Sequence, residues 1–136
     1  MDRDELKQRT KQFALRVMRL VDALPKSPKG RAIASQLVRS GTSVAANYRA
    51  ACRGRSRAEF IAKIGVAEEE ADEVTLWLEL IVEDELMPSR KIQPPLQEAG
   101  ELTAIFAATY ISAQRKARDN GASKSAIRNQ PSEIRL

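Results

Sequence analysis

The sequence predicts an all-α protein, an up-down-up-down antiparallel four-helix bundle. Apolar residues recur at helical rather than alternating spacing in the intervals between the prolines and glycines. The 136 residues are enough for one ordinary domain. The connections between the intervals are short, so neighbouring helices must run antiparallel. We expect the bundle to occupy residues 1–120 and a flexible tail, rich in Ser, Asn, Gln and Lys, to occupy residues 121–136.

The first predicted helix runs from about Asp4 to Leu24 and ends at Pro25. The second begins at Ser27, an N-cap residue followed by a proline at the first helical position, where the missing N–H costs nothing. It should end near residues 53–54. Its middle holds residues that are poor helix formers, namely Ser40, Gly41, Thr42, Ser43 and Asn47. They predict a close approach to a neighbouring helix, with Ser43 or Asn47 bonding across to it, in preference to a ligand pocket.

The third predicted helix opens with Ser56 and Glu59, which have the spacing of a capping box, and runs to about Leu86. Pro88 and the Pro94-Pro95 pair predict a break, within which residues 89–93 hold at most a short helical turn. The fourth helix is expected over residues 95–118, and Asn120-Gly121 should end it. The sequence does not assign four apolar residues to either the core or a subunit interface: Phe13, Phe60, Leu86 and Ile92.

The composition disfavours most enzymes. The chain has no histidine, which removes the usual general base, the Ser-His-Asp and Cys-His pairs and most zinc sites. A single cysteine, Cys52, allows no intrachain disulfide and is expected to be half-buried rather than reactive. The charged first ten residues and the absence of a long apolar run predict no secretory signal, no membrane partner and a cytoplasmic location. We expect no catalytic residues, no metal and no cofactor.

An acidic run, residues 68–73, invites comparison with the carboxylate metal sites of helical bundles. Those sites need Glu-x-x-His pairs, and no histidine exists here. Residues 25–57 carry eight Lys and Arg and no acid, whereas residues 58–87 carry one Lys and ten acids. Antiparallel packing of these two helices predicts ion pairs between Arg39 and the Glu70 to Glu73 region and between Arg31 and Glu79.

Antiparallel topology also gathers cations from three parts of the chain at one end of the bundle. We name this group the basic pole, and its members are Arg3, Lys7, Arg53, Arg55, Arg57, Arg115, Lys116 and Arg118. Such a cluster binds RNA or DNA mainly through phosphates, with affinity that falls as salt rises. We expect no aromatic residue at the pole to stack bases. The alternatives are a solvated surface and a protein-protein assembly module without nucleic acid.

The chain resembles the family of the 23S ribosomal RNA intervening-sequence protein. The resemblance covers about residues 10–118, and its motifs are the stretches Gln36–Asn47, Arg55–Ile61, Glu69–Glu73 and Trp77–Glu79. Where much of the family continues past the asparagine with Ile-Ala-Glu-Gly, this chain has Tyr-Arg-Ala-Ala at 48–51, and Glu68–Glu70 replace a commoner Lys-Gly-Ser.

The resemblance implies an up-down bundle that assembles as a homopentamer without enzymatic activity. It also implies a nucleic-acid-associated or scaffolding role, since some members are encoded within ribosomal RNA genes and a related bundle is the accessory protein of diversity-generating retroelements. The positions that match the family pattern are read as structural: Arg39, Ser43, Asn47, Arg55, Ser56, Glu59, Phe60 and Glu73.

Overall fold

The computed structural model describes the backbone of residues 1–128 and the side chains of residues 1–121. It contains four α-helices: α1 (Arg3–Val21), α2 (Pro28–Cys52), α3 (Arg57–Glu83) and α4 (Ser89–Arg128). Each helix packs on the next one along the chain, and α1 also meets α4, which closes the bundle. The predicted all-α four-helix fold is confirmed. The described residues include no strand.

The first two helices begin at side-chain caps. The Asp2 carboxylate accepts a hydrogen bond from the N–H of Glu5 at 2.8 Å, so α1 begins one residue earlier than expected. That bond lowers the pKa of Asp2, because it favours the charged form. At α2 the Ser27 hydroxyl accepts from the N–H of Gly30 at 3.2 Å, which confirms the predicted cap.

The third helix has half of the predicted capping box. The Ser56 hydroxyl accepts from the N–H of Glu59 at 3.1 Å, as expected. The Glu59 carboxylate, however, accepts from the N–H of Arg55, one residue before the cap, at 2.5 Å. The reciprocal bond to the N–H of Ser56 is therefore replaced by one that orders the connection between α2 and α3.

The fourth helix differs from expectation at both ends. It begins at Ser89 and continues through Pro94 and Pro95, which removes two N–H donors but does not break the helix. Burial of Ile92 and Pro95 in the bundle holds this turn in place. The helix also continues beyond Asn120-Gly121 to Arg128. The tail predicted for residues 121–136 thus begins as helix, and residues 129–136 lie outside the described residues.

The core runs the length of the bundle and draws on all four helices. Phe13 and Ile92 are buried within the chain, which assigns them to the core, whereas Phe60 and Leu86 are half-buried. Tyr48 and Phe106 pack together in this core with ring centroids 5.8 Å apart. The largest fully buried side chains are Phe13, Phe106, Leu37, Ile64, Leu78, Ile81, Ile92, Leu102, Val17, Val44, Val74 and Thr10.

The small residues in the middle of α2 do bring it close to α1. A Cβ on Gly41 would lie 2.9 Å from a Cγ of Val17, so only glycine fits at this distance. The predicted bonds across to a neighbouring helix are wrong. The Asn47 amide donates to the carbonyl and hydroxyl oxygens of Ser43, both at 2.9 Å, within α2 itself. The polar groups are satisfied locally because the i−4 carbonyl is nearer than any partner.

Candidate functional site: the basic pole

The structure brings three members of the basic pole together around one cavity. Arg3 at the start of α1, Arg57 at the start of α3 and Lys116 on α4 line a single cavity of about 540 Å³. Three separate elements therefore direct cations to one place. The start of α1 lies beside the part of α4 that holds Thr109 to Lys116, because the two helices run in opposite directions.

The other five members of the basic pole lie around this cavity without lining it. Arg53 and Arg55 are exposed on the connection between α2 and α3. Arg115 and Arg118 are exposed on α4, on either side of Lys116 in sequence. Lys7 is half-buried, with its Nζ 4.0 Å from a carboxylate oxygen of Asp4.

Apart from Lys7, no cation of the basic pole forms an ion pair with any side chain of residues 1–121. The Arg3 guanidinium instead lies over the Phe60 ring, with its central carbon 5.1 Å from the ring centroid.

Residues that the sequence reasoning missed also line the cavity. Phe60 lies at the pole, so the expectation of no aromatic residue there is wrong. Three residues with hydroxyl groups, Ser56, Thr109 and Ser112, line the same cavity. The signal for Phe60 was present, because a residue four places after the Ser56 cap must lie in the first turn of α3.

Arg39 in the middle of α2 is held by acids, unlike the exposed cations at the pole. Arg39 donates to Glu70 at 2.7 Å and also to Glu73, which confirms the predicted pairing. The hydrogen bond to Glu70 is the main cause of a raised Arg39 pKa. Arg31 is exposed and forms no ion pair within the described side chains, so its predicted pairing with Glu79 is wrong.

Two carboxylates of α4 are likewise engaged by an arginine. Arg9 on α1 bonds Glu98 with two nitrogens at 2.7 Å and Glu101 at 2.8 Å, both on α4. The hydrogen bond with Glu98 is the first cause of a raised Arg9 pKa. Bonds from Gln97 and then Arg9 lower the pKa of Glu101. Within the described part of the chain, no three acidic, His or Cys residues cluster as a metal site would require.

Two further groups lie near the pole, at the end of α2. Cys52 is a half-buried free thiol. Burial raises the pKa of the neighbouring Tyr48 phenol above its ordinary value of 10.0. Neither group lines the cavity at the pole, so we assign them to the packing of the bundle.

Exposed apolar side chains concentrate on α3. Val66, Leu76 and Leu80 are between 38% and 48% exposed and lie on the outward side of that helix. Leu80 also borders a shallow depression with Ile33 of α2. Single exposed apolar residues are common, but three along one helix mark a candidate contact surface. We call these three residues the α3 apolar stripe.

Fold and site together define the class: a small helical bundle with a basic end whose cations, apart from Lys7, form no ion pair with residues 1–121. No described helix is long and apolar enough to cross a bilayer. A family model, 23S rRNA-intervening sequence protein, matches residues 3–108. The chain belongs to this family. The match ends before Arg115, Lys116 and Arg118, so part of the basic pole lies beyond it.

The fold also matches a solved structure. It is similar to the crystal structure of a protein of unknown function from the S23 ribosomal protein family of Bacteroides thetaiotaomicron. The sequences are 31% identical, the TM-score is 0.74, and the match covers 81% of this chain and 98% of the other. A search of the curated proteins finds no match.

Proposed function

We propose that this protein is a non-enzymatic homo-oligomer that binds RNA or DNA through its basic pole. The observation that carries the proposal is the set of cations at one end that form no ion pair with residues 1–121. The mid-helix arginine Arg39, by contrast, is neutralised by Glu70 and Glu73. Contacts from such a cluster go to phosphates and favour backbone shape over sequence.

A variant in which Arg53, Arg55 and Arg57 are all changed to Gln should bind nucleic acid at least about 10-fold more weakly at low salt. Each lost phosphate contact should also reduce the slope of log affinity against log salt by about 1. The measurement is a salt titration of binding to RNA and to DNA. All three residues are exposed, and circular dichroism would confirm that the helices remain.

A matched control is available at the opposite end of the bundle. Lys26, Arg90 and Lys91 are three exposed cations there, and changing them to Gln removes the same charge. We expect this variant to bind nearly as well as the original protein. Equal loss in both variants would reduce the effect to net charge and contradict a localised site.

The second part of the proposal is the oligomer, which the resemblance to the family gives as a pentamer. The α3 apolar stripe supports it, since subunit contacts are the usual use of exposed apolar area on a small protein. The native mass should then be about five times the 15.1 kDa of one chain, before and after nuclease treatment.

The stripe can be tested by changing Leu76 and Leu80 to Lys, which should yield monomers because buried charge at a contact is costly. Ile111 on α4 is 50% exposed and outside the stripe, so Ile111→Lys is the control. A mass of one chain for the unaltered protein would remove the oligomer from the proposal.

A protein-protein scaffold without nucleic acid is the second candidate, and the same α3 apolar stripe favours it. The two candidates differ in what salt does. Retention on a nucleic-acid matrix that is strong at low salt and lost at high salt would support the nucleic-acid-binding protein. An assembly with no such retention belongs to the second.

A further inference from the structure

The cavity at the basic pole has a concave shape that contacts along a nucleic-acid backbone do not require. Its volume of about 540 Å³ lies within the usual range of small-ligand sites, about 300–1,000 Å³. A duplex presents a convex backbone, which would lie across the mouth of this cavity without filling it. An occupant must therefore be a small group or the end of a strand.

The charge of the lining selects the chemistry of that occupant. Arg3, Arg57 and Lys116 supply three positive charges, and no acidic side chain lines the cavity. A phosphomonoester carries about −1.5 to −2 at pH 7, whereas a phosphodiester within a strand carries a single negative charge. Since the cations converge from three elements, the lining suits the more highly charged group.

Hydroxyl donors complement these cations. The Ser112 hydroxyl has no hydrogen-bond partner among the described residues, and the Ser56 hydroxyl accepts from Glu59 but keeps its own O–H to donate. The Thr109 hydroxyl, by contrast, already donates to the Ile105 carbonyl at 2.8 Å. Two O–H groups can therefore donate to phosphate oxygens while the cations neutralise the charge.

The surroundings of the cavity favour a strand over a free nucleotide. Arg53 and Arg55 lie exposed on the connection that contributes Ser56 and Arg57 to the lining, and Arg115 lies beside Lys116. Cations just outside the cavity would contact the phosphates that follow the first one. A free mononucleotide has no phosphates to place there.

We infer that this cavity binds the terminal phosphate of a nucleic-acid strand in preference to the internal phosphodiesters. The inference rests on the proposed function, because it assigns the strand end to one place within the basic pole. It differs from general backbone binding in its dependence on Lys116 and on the Ser112 hydroxyl, both of which lie beyond the family match.

The test compares single-stranded oligonucleotides of one sequence that carry a phosphate at the 5′ end, at the 3′ end or at neither. Binding is followed by fluorescence anisotropy, and free mononucleotide is added as a competitor. We expect one terminal phosphate to tighten binding about 10-fold over the hydroxyl-ended strand. The mononucleotide should compete weakly because it makes no contact outside the cavity.

Two variants separate the cavity from the rest of the basic pole. Lys116→Gln combined with Ser112→Ala should abolish the preference for the phosphorylated end while leaving the hydroxyl-ended strand less affected. Arg115→Gln combined with Arg118→Gln removes exposed cations of the same helix that do not line the cavity. This control should weaken all strands alike and keep the preference.

The failures are distinguishable. If the strands bind equally and the Arg53, Arg55 and Arg57 variant still weakens them, the terminal-phosphate site is wrong and the proposed function stands. If mononucleotide binds as tightly as the phosphorylated strand, the occupant is the nucleotide and the strand-end assignment is overturned. If no strand binds, both proposals are wrong.

Discussion

Phe106→Ala should lower the free energy of unfolding by about 3–5 kcal/mol. Phe106 is fully buried on α4, and its ring packs against Tyr48 of α2 at a tilt of 38°. Truncation removes the buried ring and the aromatic pair, and it leaves a void that rigid neighbouring helices cannot fill. Denaturation in urea, followed by circular dichroism, gives the change from the shift in midpoint.

Such a loss is a large part of the about 5–15 kcal/mol that stabilises an ordinary domain. The melting temperature of Phe106→Ala should therefore be clearly reduced. Ile111→Ala is the matched control, because it truncates an apolar residue of the same helix that is 50% exposed. Its effect should stay within about 0.5 kcal/mol. Similar losses for both variants would show that Phe106 is not in the core.

Gly41→Val should destabilise the protein by about 3 kcal/mol through overpacking against α1. The Cβ alone would lie 2.9, 3.1 and 3.2 Å from three carbons of Val17. Val17 is fully buried and β-branched, so its χ1 has little freedom to turn the methyl groups away. The helices must separate, and the contacts around them are then lost. The same urea titration measures the change.

Gly100→Val is the control for helix propensity, since Gly100 lies in α4 and a Cβ added there would meet no neighbouring atom within 4 Å. It should change stability by no more than about 0.5 kcal/mol. Adding Val17→Ala to Gly41→Val should recover part of the loss, because smaller side chains on α1 make room. Equal effects at the two glycines would contradict the close approach of α1 and α2.

Helix starts were predictable because they depend on side chains next to them in sequence. The Ser27 and Ser56 caps are local hydrogen bonds, and both form as their spacing indicates. The boundaries of α4 were not predictable in this way. Proline and Asn-Gly disfavour helix locally, but burial of Ile92 stabilises the first turns despite Pro94 and Pro95.

The gathering of cations at the basic pole followed from topology, whereas the finer geometry did not. Antiparallel packing of α2 and α3 correctly predicted that Arg39 lies level with Glu70 along the helix axes. The same rule failed for Arg31, because it fixes position along the helix but not the direction around it. The cavity and its Ser112 hydroxyl depend on distances between three elements, which no local pattern records.

The contact between α1 and α4 should be the first part of the bundle to open when the protein unfolds. The two helices pack little against each other, and the ion pairs from Arg9 to Glu98 and Glu101 join them directly. Acid or salt weakens these ion pairs, so the contact between α1 and α4 should open before the other helix contacts. Arg3 on α1 and Lys116 on α4 lie on opposite sides of this helix contact. A phosphate bound by both residues would link α1 to α4. The protein with phosphate bound should therefore resist this opening more than the unbound protein.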